Sequence, residues 1–397
     1  NNELAAGYAL DGKILGVPLT AGYEYVFYWK DMFKEAGVTV PTTWSEFEQT
    51  AQTLQDYYGK DNPDFMAIAL GAKDEWPDYP YMEFMPALEG GNGQNWNGMC
   101  AQCHSTNLVK GYDAASDSYR TTWSEIDVSC EACHGPGSRH VAWAEVPPMG
   151  RAKTPNAGLV QKTSGITNRE LVELCAPCHS RRSELGGWAH GGGALLDSHL
   201  PVLLDEGLYH PDGQILEEDY EYGSFLQSKM YRMGVRCTDC HDAHTGKRLK
   251  DGNALCTRCH AATTYDDAAH HFHKKEWQGK PSRGALCESC HMPTQNYMVV
   301  HARHDHSIRV PRPDLSKALG VPNACGNAGC HADKPLDWVV AKYDGWYGKA
   351  RKPHYGTILA AARRGEPAAG EGLVRLAGDT LAPTLVRATA LSLLGAY

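Results

Sequence analysis

Three features are missing from this 397-residue sequence. No apolar run approaches the roughly 18 residues that a membrane-spanning helix needs, and mean hydropathy is -0.46. Positive charge is not in excess, because the formal net charge is -9, which disfavours a nucleic-acid-binding surface. No cysteine stands alone, since all 14 lie in close pairs. The first two absences argue against a membrane protein or a nucleic-acid-binding protein, and the third makes the cysteine pairs the informative feature.

Every cysteine pair is followed at once by histidine. Six pairs read Cys-x-x-Cys-His: Cys100–Cys103–His104, Cys130–Cys133–His134, Cys175–Cys178–His179, Cys237–Cys240–His241, Cys256–Cys259–His260 and Cys287–Cys290–His291. In the seventh, Cys325 and Cys330 enclose four residues before His331. This pattern is the attachment sequence of c-type haem, in which both thiols bond the porphyrin and the histidine is the proximal iron ligand. The sequence therefore predicts seven covalently attached haems c.

Zinc sites and disulfides are the alternative interpretations of paired cysteines. Zinc ribbons use pairs of Cys-x-x-Cys, and disulfide frameworks use even numbers of cysteines, but neither needs a histidine after every pair. The repeated histidine therefore favours haem over both alternatives.

The motifs are densely spaced. They occupy the segment from Cys100 to His331, or about 33 residues for each motif, which is too little chain to build a separate apolar core around each site. We expect the haems to pack against each other and to form the core of this region. Close packing would let electrons pass from one iron to the next.

The remaining histidines are candidates for the second axial ligand of each iron. Twelve of the 19 histidines lie outside the motifs, and a low-spin electron-transfer haem takes a second His or a Met on its far face. Most of them are clustered or close to a motif: His140, His199, His210, His244, His270, His271, His273, His301, His304 and His306.

The composition changes along the chain and predicts a mixed fold with three parts. Residues 1–93 contain no Cys or His and read as a small α/β fragment, with strands over 14–20 and 23–29 and helices starting near Lys30 and after Thr43. Residues 94–335 form the multihaem domain, made mainly of loops and short helices. Residues 336–397 read as a truncated α-helical repeat, with helices over 355–363, 370–376 and 385–394.

Long phrases in residues 94–397 resemble a family of large multihaem cytochromes c related to the tetrahaem cytochromes of ammonia oxidisers and to hydroxylamine oxidoreductase. These phrases include TTWSEIDVSCEACHGPGSRH, LYHPDGQILEEDYEYGSFLQSKMY, RCTDCHDAHTG, HHFHKKEW and DHSIRVPRPDLS. Members often end in tetratricopeptide or HEAT-like repeats. The resemblance implies distal ligation by His140 and His244. The other candidates in matching phrases are His199, His210, His271, His273 and His306.

The sequence departs from this family in two respects. The gap between Cys325 and Cys330 is longer than usual, and the haem motif with which members usually begin is absent. A haem that depends on a missing histidine would be left five-coordinate.

The first 92 residues are instead similar to part of a family 1 extracellular solute-binding protein of sugar importers, in the phrases LDGKILGVPLTAGYEYVFYWKDMFKEAGVTVPTTWSEFEQTAQTL and AIALGAKDEWP. The piece is a small part of such a protein, so we expect no ligand binding from it. Haem attachment and solute-binding proteins both imply a periplasmic or extracellular location.

Two functions are consistent with these patterns. The first is an electron-transfer cytochrome with seven closely packed and mostly bis-histidine haems, which would exchange electrons with redox partner proteins. The alternative is a reductase or oxidase of a small nitrogen or sulfur compound at one five-coordinate haem, with Tyr220, Tyr222 and Arg303 as candidate donors. The surplus of histidine favours electron transfer, and we assign no catalytic residue. We expect no nucleic-acid partner and no transmembrane segment, and the helical repeats offer a surface for self-association.

Overall fold

The computed structural model describes residues 9–10, 13–14, 29–41, 44–60, 62, 65, 96–186, 193–297, 301–327 and 330–397. The chain divides into two compact units. One comprises residues 1–100 and 112–120, and the other comprises residues 101–111 and 121–397. The division into three domains at residues 93 and 335 stays a prediction.

The first unit contains two helices that the sequence predicts, Lys30–Glu35 and Trp44–Tyr58. The first ends before Gly37, whose φ of 67° is the left-handed conformation that glycine adopts at helix ends. The Tyr58 hydroxyl donates to Glu35 Oε2 at 2.7 Å and joins the two helices. Two hairpins also belong to this unit: Ala9–Leu10 with Lys13–Ile14, and Tyr112–Asp113 with Ser118–Tyr119. Most of the two strands predicted over 14–20 and 23–29 lies outside the described residues.

Short elements separated by loops make up the motif-bearing part of the second unit, as the sequence predicts. Its helices are Cys130–His134, Ser138–Glu145, Asn168–His179, Tyr220–Gln227, Lys229–Arg232, Asn253–Cys256, Ala262–Tyr265, Ala268–His271, Cys287–His291 and Pro313–Leu319. Its strands pair antiparallel in twos: Ser105–Thr106 with Glu125–Ile126, Arg182–Glu184 with His199–Pro201, Glu276–Trp277 with Lys280–Pro281, and Thr294–Tyr297 with His301–His304.

Four helices end the chain: Leu336–Tyr347, Tyr355–Arg363, Ala369–Gly378 and Thr384–Leu394. The last three match the predicted helices closely. Their apolar faces meet in a core where Leu359, Leu373 and Val386 have no exposed surface. Leu204 and Tyr209 enter the same core from the preceding region. The terminal helices are therefore packed against the segment that also carries His210.

A buried ion pair ties these helices to the motif region. Arg309 Nη1 lies 3.1 Å from Asp212 Oδ2, and the two side chains are 16% and 2% exposed. The hydroxyl of Tyr355, the first residue of its helix, donates to the Asp212 carbonyl at 3.0 Å. Because a buried charge is costly unless it is paired, the contact depends on both partners.

Candidate haem-binding sites

In several motifs the backbone turns back on itself and sets the histidine beside the first cysteine. The His260 amide donates to the Cys256 carbonyl at 3.0 Å, which closes one helical turn. The wide motif closes in the same way, because the His331 amide donates to the Cys325 carbonyl at 2.9 Å despite the two extra residues. The longer gap therefore keeps the arrangement of first cysteine and histidine that the regular motif has.

Four motif histidines face a second histidine across a gap. The ring centroids are 6.1–6.3 Å apart, and the rings are tilted by 7° to 36°. The pairs are His134 with His244 (6.2 Å, 7°), His241 with His306 (6.3 Å, 36°), His291 with His270 (6.2 Å, 9°) and His331 with His273 (6.1 Å, 36°). In each pair one ring belongs to a motif and the other does not.

This separation fits a metal ion held between two imidazoles. On each side of the metal, the metal–nitrogen bond is about 2.0–2.1 Å and the ring centre lies about 1.1 Å beyond the nitrogen. The two ring centroids are then about 6.3 Å apart. Rings in direct van der Waals stacking would be closer. The residues present therefore fit a bis-histidine haem at four motifs.

The segment Ala268–His273 provides one ring to each of two of these histidine pairs. The helix Ala268–His271 ends at Phe272, whose φ of 56° reverses the chain. His270 before the reversal faces His291, and His273 after it faces His331. Phe272 itself stacks on Trp346, with centroids 5.0 Å apart and planes 1° apart. A left-handed non-glycine residue costs on the order of 1 kcal/mol or more, and this aromatic packing helps to hold it.

Hydrogen bonds at Nδ1 orient several of the histidines. Nδ1 of His291 lies 2.8 Å from the Arg309 carbonyl, and Nδ1 of His306 lies 2.8 Å from the carbonyl of His304. A carbonyl only accepts, so Nδ1 carries the proton and Nε2 keeps its lone pair. Such contacts are typical of metal-binding histidines, because they set both the ring orientation and the tautomer.

The sequence favours His271 as a ligand candidate. In the structure, the ring that faces a motif histidine belongs to its neighbour His270. His271 Nδ1 accepts the backbone N–H of His273 at 3.2 Å. Its proton is therefore on Nε2, which is buried and has no hydrogen-bond partner in the described part of the chain. Burial also lowers the pKa of His271 and keeps it neutral. This tautomer disfavours coordination through Nε2. The spacing in AHHFH does not distinguish the two residues, because only the reversal at Phe272 decides which ring faces a motif.

His140 is held by the loop that follows its helix. Its Nδ1 lies 2.9 Å from the Ala157 carbonyl. That carbonyl can approach because the next residue is Gly158, with φ of 84°, where a Cβ atom would lie 2.9 Å from the Arg139 carbonyl oxygen.

Two more candidates lie in different places: His199 pairs with Glu184 in a two-stranded sheet, and His210 follows Tyr209 of the core of the terminal helices. His199 has no exposed surface, and its Nδ1 lies 2.9 Å from Ser198 Oγ. His210 is half-buried, and its amide donates to the Gln214 carbonyl. Burial lowers the pKa of both imidazoles. Both are therefore held neutral, the form that binds iron. Coordination by His140, His199 and His210 stays a prediction.

The third motif differs in what its histidine binds. His179 Nδ1 lies 3.1 Å from the Glu221 carboxylate. Burial opposes ionisation of Glu221, but the hydrogen bond and charge of His179, with smaller effects of His306 and Arg303, lower its pKa to about 2. Among the residues that the structure describes, no second imidazole faces His179 at the separation seen in the four pairs. This histidine is therefore oriented by a charged group rather than by a carbonyl.

Asp219 lies two residues before Glu221 and has no exposed surface. Its two carboxylate oxygens lack hydrogen-bond partners within the described ranges. Burial, only partly offset by Arg181, raises its pKa to about 7.

Cysteines of different motifs lie in contact. Three such pairs interact: Cys103 with Cys178, Cys175 with Cys237, and Cys256 with Cys287. In the first pair, Cys103 Sγ donates to the backbone carbonyl oxygen of Cys178 at 3.8 Å. None of the 14 cysteines, all of which lie in the described residues, takes part in a disulfide. No group of three or more His, Cys, Asp or Glu side chains converges on a single point in the described segments. The contacts between motifs fit closely spaced sites.

Two family models match the chain. One, described as bacterial extracellular solute-binding protein, matches residues 2–127. The other, described as doubled CXXCH motif, matches residues 230–264, which contain the motifs ending at His241 and His260. The chain joins a segment similar to solute-binding proteins to a region that carries haem c attachment motifs. The two-part resemblance predicted from the sequence is thereby confirmed. The first match also overlaps the motif Cys100–Cys103–His104.

Similar proteins are found for both parts. A multiple sugar-binding protein of Streptococcus mutans is 39% identical over 75 residues, which are 19% of this chain and 16% of that protein. The chain therefore spans only a small part of this relative. The crystal structure of outer cell wall cytochrome OcwA is 20% identical, with a TM-score of 0.42 over 76% of this chain and 75% of that one. An undecahaem cytochrome from the S-layer of Carboxydothermus ferrireducens is 17% identical, with a TM-score of 0.30 over 76% and 55%.

No helix in the described residues is both long enough and apolar enough to cross a bilayer.

Proposed function

We propose that this protein is an electron-carrying cytochrome with seven haems c, most of them held between two histidines. The proximal ligands would be the seven motif histidines. The distal ligands would include His244, His270, His273 and His306, with His140, His199 and His210 as further candidates.

The four histidine pairs at 6.1–6.3 Å carry this proposal. A bis-histidine iron has no free position for substrate, so it exchanges electrons without binding a reactant. The pairs also interleave along the chain. His241 faces His306, whereas His244, three residues later, faces His134. Neighbouring haems would therefore share one loop, which is the close spacing that electron transfer between them needs.

Haem count and spin state test the proposal together. The protein is produced in a host that attaches haem c, and its mass and alkaline pyridine spectrum give the number of haems per chain. We expect seven. A Cys325→Ala, Cys330→Ala variant should carry one haem fewer, and an unchanged count in this variant would exclude haem attachment at the wide motif.

Low-temperature electron paramagnetic resonance of the oxidised protein then reports coordination. We expect low-spin signals to dominate. A mainly high-spin spectrum at full haem loading would contradict bis-histidine ligation and the electron-transfer function inferred from it.

A reaction at an open haem is the second candidate function. The observation that favours it is the hydrogen bond between Glu221 and His179, one of the motif histidines outside the four facing pairs. Tyr220 and Arg303 belong to the same neighbourhood, since both interact electrostatically with groups around Glu221. Adding nitrite or hydroxylamine would distinguish the two functions. A high-spin signal that shifts with either ligand supports the open haem, and an unchanged spectrum refutes it.

We further propose that the protein works outside the cytoplasm, in the periplasm or beyond. Haem c is attached there, and the N-terminal match is to an extracellular protein family. With a formal charge of -9, the protein would dock with redox partners that present Lys or Arg, and the rate would fall with added salt.

A further inference from the structure

The third motif lies between two others. Its two cysteines lie beside different neighbours. Cys103 Sγ of the first motif donates to the Cys178 backbone carbonyl at 3.8 Å, and the thiol of Cys175 interacts with that of Cys237 of the fourth motif. A haem attached at Cys175 and Cys178 would therefore adjoin two other haems. Any change in the reduction potential of this haem would affect electron transfer between the two neighbouring haems.

The proximal histidine of this motif has an anionic partner. Glu221 Oε2 lies 3.1 Å from His179 Nδ1, and the Glu221 side chain is 28% exposed. Glu221 belongs to the helix Tyr220–Gln227, which packs against the helix Asn168–His179 that ends in His179. The contact is thus supported by two packed elements and not by one mobile side chain.

Two other motif histidines provide a contrast. His291 donates to a neutral backbone carbonyl, that of Arg309, at 2.8 Å. His104 has a carboxylate nearby, but Asp127 Oδ1 lies 3.8 Å from its Nδ1, beyond hydrogen-bond distance. Of these three motif histidines in the described residues, His179 is the one whose Nδ1 is hydrogen-bonded to a carboxylate, that of Glu221.

We propose that Glu221 is a positioning residue that makes the haem at His179 easier to oxidise than it would be with a neutral partner. A carboxylate that accepts the Nδ1 proton increases the electron donation of the imidazole through Nε2, which stabilises the ferric state. No atom is transferred, and only the distribution of one electron between neighbouring irons changes. This inference rests on haem attachment at Cys175 and Cys178.

The test is a potentiometric titration of the whole protein as Glu221→Gln. Glutamine keeps the size and an acceptor oxygen but removes the charge. Because hydrogen bonds to charged groups are about twice as strong as neutral ones, we expect the ferric-to-ferrous ratio of one haem to fall about tenfold at a fixed potential. That corresponds to an upward shift of about 59 mV in one component of the titration.

Two variants are matched controls. Asp127→Asn removes a carboxylate 3.8 Å from His104, and Glu173→Gln removes one that is bonded to Arg169 on the helix of His179. Each should change the ratio less than about twofold, because neither charge is hydrogen-bonded to a proximal ligand.

Haem content separates the two ways in which the test can fail. Peptide mass mapping shows whether Cys175 and Cys178 carry haem, and its absence would overturn haem attachment at this motif and the inference with it. If haem is present and no component moves in Glu221→Gln, or if the controls shift as much, the role of Glu221 is refuted while the electron-transfer function stands.

Discussion

Replacing His270 with alanine should convert one haem to the high-spin state. His270 faces His291 at 6.2 Å with planes only 9° apart, and alanine removes one of the two axial imidazoles of that iron. With seven motifs in the sequence, about one seventh of the haem should become high-spin in the oxidised protein. The fold should persist, because the His270 carbonyl that accepts the Tyr347 hydroxyl is part of the backbone. Electron paramagnetic resonance and the visible spectrum measure the fraction.

The adjacent residue is the matched control. His271→Ala removes an identical side chain from the same helix. Nδ1 of His271, however, accepts the backbone N–H of His273, so its Nε2 carries the proton. We expect its spectrum to stay low-spin, as in the unaltered protein. A high-spin fraction in His271→Ala and none in His270→Ala would refute the argument from tautomer and ring facing.

Three predictions concern stability and are measured as chemical unfolding followed by circular dichroism. Leu373→Ala should cost about 2–5 kcal/mol because the side chain is fully buried, whereas Val374→Ala, at a position 60% exposed, should change stability by less than about 0.5 kcal/mol. Arg309→Ala should cost about 3–5 kcal/mol because it leaves the buried charge of Asp212 unpaired, and a loss below 1 kcal/mol would contradict the buried ion pair. The pKa of Asp219 is raised to about 7 in the folded protein from an ordinary 3.8, so its stabilising protonated form is lost as pH rises through 7. Asp219→Asn should therefore gain up to about 4 kcal/mol relative to the unaltered protein between pH 4 and pH 8, and parallel pH profiles would contradict this.

The terminal helices were predictable because their signal is local. Leu359, Leu373 and Val386 fall at helical spacing among alanines, and burial of one face suffices to explain each helix. Their partners were not predictable, because Leu204 and Tyr209 are distant in the sequence and carry no pattern that identifies this core.

The motif histidines were predictable for a chemical reason. Covalent attachment needs two thiols and a histidine at short spacing, so cofactor type and proximal ligand can both be read from the order of residues. At the wide motif, residue spacing alone does not establish the arrangement of cysteine and histidine. Its gap departs from the usual spacing, and only the bond from the His331 amide to the Cys325 carbonyl and the facing ring of His273 indicate that the geometry is kept.

By itself, the sequence determined the haem c chemistry, the motif histidines, the helical C-terminus and the change in character after the first 93 residues. Only the tertiary structure decided which histidine faces which motif. The ring of His270 lies opposite His291, and Glu221 contacts His179, 42 residues away along the chain. The physical reason is that a proximal ligand is held by local covalent spacing, whereas a distal ligand or a carboxylate partner comes from a remote segment. Backbone reversals and helix packing bring that segment into place.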